Sequence, residues 1–555
     1  MPTNNKQKAY LFTSVIAALL ILVSAVTYLY FNVQARNGSN PVSVLFPQIK
    51  TTSVQLSPDL PVIFGDEITK FVDGNDKYYL TSTNKPEIYI KTVSDQSGSD
   101  LTGVVLYEKT FVPVTNFSSL IDETTFAKIH DAFTADDNTT FKRALLLKGN
   151  EQEIAELYNG LNGAVLFDSL DELIKNIKTN DVALVPLDML NAHLKVLNIT
   201  DELNGGLIID PDYAANWPLS VTYIASGKRA DNFATDFRGE APINNRDPEK
   251  MTTLIMTGVT AISRGVEYSI ARHDDPIYPA RGVMDVLSKA DITHVNSENP
   301  LFDSCEPQSE GIVLCGKTRS IANFDAIGVD IVGLTGNHRN DYGPENNLES
   351  IGHLEEHGFE YYGGGKNEED AGKILYKTVN DTTIAFVGYA YFDSLNGPRY
   401  TSLAYDDHPG ANFYSEEKVE RDVKEARENA DIVVVEYQFI ENYSYEPIPG
   451  QIDVFEWTSN LGADLVMGVQ SHQPQWVRFN ERENGSEGMI FYGLGNLFFD
   501  QMWSLGTRQA IIPRFTFYDG RLISAEVMTT LLHDYAQPRF VTGKDRTAIL
   551  EEVLP

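Results

Sequence analysis

Thr335-Gly336-Asn337-His338-Arg339-Asn340-Asp341-Tyr342-Gly343 follows the apolar run Ile331-Val332-Gly333-Leu334 and precedes a helical pattern from Asn347 to His357. The apolar run reads as a buried strand. The nine residues then fall on the loop after it, where α/β proteins place site residues at the carboxyl edge of a sheet. An imidazole supplies a metal-ligating nitrogen or a transferable proton, and Asn337 sets a carbonyl oxygen beside it. Taken alone, His338 reads more simply as a loop-capping residue. The other strand ends weigh against that reading.

Strands are predicted at Thr252–Val259, Ile292–Val295, Ile331–Leu334, Thr383–Tyr389, Ile432–Glu436, Leu465–Val469 and Met489–Tyr492. Helical patterns separate most of them, notably Glu416–Ala430 and Ile452–Leu461, and Asp519-Gly520 marks a hairpin between Phe515–Tyr518 and Arg521–Val527. Polar clusters follow the apolar runs: Asn296-Ser297-Glu298, then Glu436-Tyr437-Gln438, then Gln470-Ser471-His472-Gln473-Pro474-Gln475, then Gly493 to Asp500. Parallel strands buried on both faces carry their chemistry at one edge. Glu298, Asn337, His338, Gln438 and His472 are therefore expected to converge on one edge of a single sheet.

A chain of 555 residues with 42% hydrophobic content holds two or three folded units. The formal charge of −34 argues against nucleic acid or anionic polymers as partners, which need a basic surface. Cys305 and Cys315 are not in a zinc or redox spacing. Outside the cytoplasm they would close a short disulfide loop; two free buried thiols are the other reading.

Residues 1–36 read as a cytoplasmic stub and a transmembrane anchor, Tyr10 to Phe31 being apolar and long enough to span a bilayer. Lys6 and Lys8 favour a cytoplasmic N-terminus, single-pass insertion in the cell membrane and an extracytoplasmic bulk. A signal peptide cleaved near Val33-Gln34-Ala35 is the rival. Residues 37–58 read as a linker, and so does Asp231–Glu249. Between them, 59–240 alternates strands (Ala144–Leu147, Gly163–Phe167, Val182–Leu187) with helices (Glu151–Leu161, Leu170–Ile177), an α/β accessory domain. Its Val182 to Asp188 run resembles a lobe of a periplasmic solute-binding protein, which implies ligand sensing; a structural spacer is the other reading.

The motifs Asn296-x-Glu298, Gly336-Asn337-His338-x-x-Asp341-Tyr342-Gly343, Gly363-Gly364-Gly365, Asp464 to Gln475 and Gly495-Asn496-x-x-Phe499-Asp500 stand in one order over about 250–530. In this they resemble the CapA-type poly-γ-glutamate capsule-synthesis family of the calcineurin-like metallophosphoesterase superfamily. The resemblance implies an α/β fold class: after the N-terminal transmembrane helix and an α/β periplasmic-binding-like domain, a metallophosphoesterase α/β sandwich over 250–530, then a C-terminal tail, 531–555. It also implies an extracytoplasmic protein of capsule or envelope polymer synthesis, hydrolase- or transferase-like. Its partners would be the membrane, through the N-terminal helix, the polymer and the capsule-synthesis machinery, and not nucleic acid. In this reading His338 and His472, with Asp341, are the acid/base residues, and Asn296, Gln438, Gln470, Gln475 and Asn496 bind substrate.

The sequence departs from the family at its metal ligands. Val259 stands where the family has a metal-binding Asp after Gly258, and Gln438 and Gln470 stand where it has imidazoles. Glu298, Asn337, His338 and His472 remain as ligands for at most one weakly held divalent ion, with no cofactor as the alternative. The alternative is that nearby carboxylates, such as Glu267, Glu436 or Glu441, move in to rebuild the site. A non-catalytic polymer-binding or solute-sensing descendant of the fold is the second functional reading.

Overall fold

The computed structural model describes residues 51–83, 85–94, 102–135, 140–200, 207–213 and 217–554. The expected membrane helix and its cleavage alternative lie outside them. Among the described residues no helix is long and apolar enough to cross a membrane. The chain is mixed α/β and divides into two compact units, the first reaching to Glu108 and including Val221–Ile243, the second comprising Lys109–Ser220 and the chain from Asn244 onward.

In the first unit Thr52–Leu56 lies parallel to Tyr78–Leu80 and Ile88–Val93, and Ser220–Ser226 runs antiparallel to the latter. Two segments read as linkers are therefore structured. Thr52–Leu56 is a strand because Val54 is fully buried in this unit's core. Ala230–Arg238 is a helix because Ala230, Phe233 and Ala234 are spaced to cover the same core.

In the second unit Ala144–Leu147 pairs in parallel with Val165–Phe167 and Val182–Pro186, flanked by the helices Glu151–Tyr158 and Leu170–Asn176. The remainder is built mainly from two further sheets. Its elements are β1 (Met251–Ile255), β2 (Val259–Thr260), α1 (Arg264–His273), β3 (Ile292–Ser297), β4 (Ile331–Gly333), α2 (Pro344–Glu356), β5 (Glu360–Tyr362), β6 (Leu375–Val379), β7 (Thr382–Ala390), α3 (Glu416–Asn429), β8 (Ile432–Gln438), α4 (Pro449–Leu461), β9 (Leu465–Val469), β10 (Val477–Glu481), β11 (Glu487–Phe491), β12 (Asn496–Phe498), β13 (Gln509–Tyr518), β14 (Arg521–His533), β15 (Gln537–Phe540) and α5 (Gly543–Val553). One sheet runs β5-β4-β3-β1-β13-β14-β15, with β2 paired to β3 and β12; the other runs β6-β7-β8-β9-β11-β10. The β13–β14 turn has positive φ at both Asp519 and Gly520, as a type I′ turn requires. The stretch read as a tail carries β15 and α5, because Ile549, Leu550 and Val553 pack into the core between the sheets.

The two sheets face each other, and alternation along each strand sorts its side chains. On β8, Ile432 and Val434 enter the inter-sheet core while Val433 and Val435 meet the residues of α3 and α4. On β3, Ile292 enters the same core and Val295 packs with α1 and α2. The period of two carries each inward series onward to polar residues: Ile292, His294, Asn296 on β3 and Ile432, Val434, Glu436, Gln438 on β8. The space between the sheets thus grades from hydrocarbon to polar toward the carboxyl ends of the parallel strands.

Candidate functional site

At the apolar end of this gradient lies a fully buried contact, His294 Nε2 to Glu436 Oε2 at 3.4 Å. Tyr362 Oη stands 3.0 Å from His294 Nε2. Thr335 Oγ1 and Asn296 Nδ2 donate to Glu436 Oε1 at 2.8 and 2.9 Å. Burial lowers the His294 imidazole to about 3 and raises the Glu436 carboxyl to about 7, so between those values both groups are neutral. Gly333 makes the room: a Cβ there would stand 2.7 Å from Glu436 Oε1 and 2.9 Å from His294 Nε2.

One step nearer the mouth, Gln438 Nε2 donates to Glu298 Oε1 at 3.2 Å and to Asn337 Oδ1 at 3.1 Å, and touches Gln470 Oε1. Glu298 Oε2, Gln438 Oε1 and Gln470 Nε2 are buried without a hydrogen-bond partner among the described residues. Such atoms are costly unless something else satisfies them. Gly336 brings its two loops together, since a Cβ there would come within 2.5 Å of Glu298 Cα. Gln470 and His472 both hold left-handed backbone, φ 83° and 54°, a conformation side-chain-bearing residues rarely adopt outside sites that constrain it.

Two imidazoles are anchored at the mouth in the same manner. His338 Nδ1 donates to Asp341 Oδ2 at 2.7 Å, and that oxygen also accepts from Leu314 N at 2.7 Å. His472 Nδ1 donates to Asn496 Oδ1 at 2.9 Å, while Asn496 Nδ2 donates to the backbone oxygens of His472 and Thr507. With Nδ1 the donor, Nε2 of each neutral ring is the acceptor. Burial opposes protonation of His338, but the Asp341 hydrogen bond and the charges of Glu298, Asp341 and Asp393 outweigh it and lift its pKa above the ordinary histidine value. Around His472 stand the rings of Phe499 at 5.2 Å and Tyr443 at 6.1 Å, and Tyr443 meets exposed Trp503 at 4.8 Å.

Glu298, Asn337, Gln438 and Gln470 are thus brought into contact, and Asn296 lies below them against Glu436. The single-sheet expectation is corrected. Glu298 and Asn337 follow strands of one sheet, whereas Gln438 and Gln470 belong to the other. Period-two patterning says which residues share a face but not which sheet they face. Asn496 holds His472. Gln475 is used within the fold, donating to Ser444 O at 3.1 Å and accepting from Gln451 Nε2 at 3.2 Å. Asp393, Tyr443 and Trp503 were missed; Asp393 lies in the short helix Tyr391–Ser394 and the other two on loops, and only their spacing beyond β7, β8 and β12 could have hinted at them.

The donor set does not fit a two-metal centre. Val259 is buried in β2 between β3 and β12 and brings no oxygen. Glu267 is turned to Lys317 N and Ser320 Oγ, Glu436 is bound to Thr335 and Asn296, and Glu441 Oε1 stands 3.9 Å from His472 Nε2, so none of these three bonds Gln438 beside Glu298. Among the described residues the His, Asp and Glu grouping tight enough to hold a cation is Asp303, Glu349 and His353, which is not part of this site.

Cys305 and Cys315 form a disulfide that packs with Phe302 against Tyr342, the residue after Asp341.

Residues 253–501 match the family model described as bacterial capsule synthesis protein PGA_cap. The chain is 27% identical over 321 residues to the capsule biosynthesis protein CapA of Bacillus anthracis, covering 56% of this chain and 75% of that one. It is 28% identical over 247 residues to the PGA biosynthesis protein CapA of Bacillus subtilis, covering 44% and 60%. An ABC-type phosphate transport receptor structure from Vibrio cholerae aligns with 34% of this chain and 95% of its own at 10% identity and a TM-score of 0.26, too low to assign a fold. Residues 253–501 thus carry the chain's likeness to the CapA-type capsule synthesis family.

Proposed function

We propose that this protein acts in capsule polymer synthesis as a membrane-anchored, extracytoplasmic hydrolase or transferase of poly-γ-glutamate type polymer. The observation that carries the reading is the pair of imidazoles, each held through Nδ1, with Nε2 free to exchange a proton. His338, favoured in its protonated form by Asp341, donates to a leaving group; His472, oriented through Nδ1 by the Asn496 carbonyl, turns Nε2 to accept from the attacking nucleophile. Glu298 and the Gln438 and Gln470 amides bind the polar backbone of the polymer beside them. The site works with at most one weakly held divalent ion. The disulfide supports an extracytoplasmic location, and the apolar Tyr10 to Phe31 run supports the anchor. We assign the calcineurin-like sandwich to 250–530 and a solute-sensing role to 59–240.

The test is cell-associated polymer in cells carrying His338→Gln/His472→Gln. A fall in polymer yield or a change in chain length is expected. Polymer identical to that of the unaltered strain overturns the reading. Gln438, already bonded to three neighbouring side chains, favours a second reading, in which the site binds polymer without acting on it. Altered retention of polymer with unaltered chain length would select it.

A further inference from the structure

A cavity of about 470 Å³ beside α1 is lined by Arg264, Arg272, Lys317 and Arg319 with the rings of Tyr268 and Tyr535. In a chain of net charge −34, four cations gather on one cavity whose lining also holds Glu267. Arg264 is fixed, its guanidinium bonding Asp500 Oδ1 and Gly311 O at 2.6 Å each. Arg272 pairs with Asp534. The other two are held loosely. Arg319 is 46% exposed and reaches Glu267 only at 3.4 Å, and Lys317 stands 3.8 Å from a Glu306 that is itself 91% exposed. Glu267 keeps its hydrogen bonds from Lys317 N at 2.8 Å and Ser320 Oγ at 2.5 Å without Arg319.

One wall of the cavity packs toward the site through a buried ring. The Arg264 guanidinium lies 5.0 Å from the Phe499 ring, and that ring lies 5.2 Å from His472.

We propose that this basic, tyrosine-lined cleft binds a chain of carboxylates. The proposal rests on the polymer reading above and assigns its docking site. Lys317 and Arg319 pair with successive carboxylates, guanidinium and ammonium being suited to that exchange. Tyr268, 70% exposed, and Tyr535, 53% exposed, cover the methylene links between them. The acidic remainder of the surface repels the same polymer, so binding is confined to the cleft.

Fluorescence anisotropy of the full chain with a dye-labelled γ-linked oligoglutamate tests this. Lys317→Gln/Arg319→Gln is expected to weaken binding about tenfold, two ion-pair contacts being lost. Tyr268→Glu, at an exposed position, is expected to weaken it comparably and keeps the test open if the double variant folds poorly. Unaltered chain should lose affinity in 0.5 M salt. Variants that bind as tightly as the unaltered chain overturn the cleft and leave the capsule reading standing. Equal displacement of the probe by inorganic phosphate overturns it too, showing a simple anion site. Absence of binding by the unaltered chain also overturns it, while the capsule reading is judged separately from the polymer of His338→Gln/His472→Gln cells.

Discussion

Gln438 Nε2 lies 3.2 Å from Glu298 Oε1, so the carboxylate that would anchor a divalent ion accepts a hydrogen bond from a neutral amide. Elemental analysis of the purified chain is expected to find at most one transition-metal ion, weakly held. Gln438→His should raise zinc or manganese affinity about 10–100-fold by restoring an imidazole. Two tightly bound ions per unaltered chain would contradict the donor set.

Asp341 determines how readily His338 takes up a proton. Asp341→Asn removes both the charge and the charge-assisted hydrogen bond, so the pKa of His338 should fall. An NMR titration of the ring reads this directly. An unmoved midpoint would show that Glu298 and Asp393 hold the proton instead.

The buried His294–Glu436 contact predicts a pH signature. A carboxyl raised from 4.5 to about 7 favours the folded state below 4.5 and loses that contribution as pH rises to 7. An imidazole lowered from 6.5 to about 3 does the reverse, its contribution disappearing as pH falls from 6.5 to 3. The two cancel between 4.5 and 6.5, so the pair leaves stability flat there. Glu436→Gln cannot ionise and should gain on the unaltered chain from pH 4 to pH 8 by on the order of 2–3 kcal/mol. Denaturant melts at the two pH values measure it, and a constant difference would refute the assignment.

Two glycines should respond differently to alanine. At Gly336 the new methyl meets Glu298 backbone at 2.5 Å, whereas at Gly333 it meets the ends of two side chains at 2.7 and 2.9 Å. Gly336→Ala should therefore destabilise by about 3 kcal/mol and Gly333→Ala by about 1–2 kcal/mol. Thermal melts that rank them in the opposite order would show the Glu298 loop to be the softer partner.

The disulfide closes a loop of about eleven residues, worth roughly 2–3 kcal/mol in the chain-entropy account. Cys305→Ser/Cys315→Ser should lower stability by that amount, and mass spectrometry of unreduced peptides should find the two residues linked.

The strand ends were legible because each apolar run stops at a polar cluster, and β3, β8 and β9 begin where the pattern places them. The helix Ala230–Arg238 was not, since its two phenylalanines and two alanines are diluted by charge. Nor was the partition into two sheets. Ile432 and Val434 state that one face of β8 is buried, but only the folded chain shows β3 opposite. For the site, parity along β3 and β8 already pointed Asn296 and Gln438 inward. Gln475 misled because an amide in a motif looks the same whether it faces a ligand or ties down the loop at Ser444.

The inward series on β3 and β8 makes the floor of the site and the seam between the sheets one object. Atoms that hold the sheets together at His294 and Glu436 lie two residues from Asn296 and Gln438. A ligand that pried the mouth apart would therefore strain the seam, and a mutation that loosens the hydrocarbon below should widen the mouth. The protein's melting temperature and the affinity of the mouth for any ligand should rise and fall together across core variants of β3 and β8.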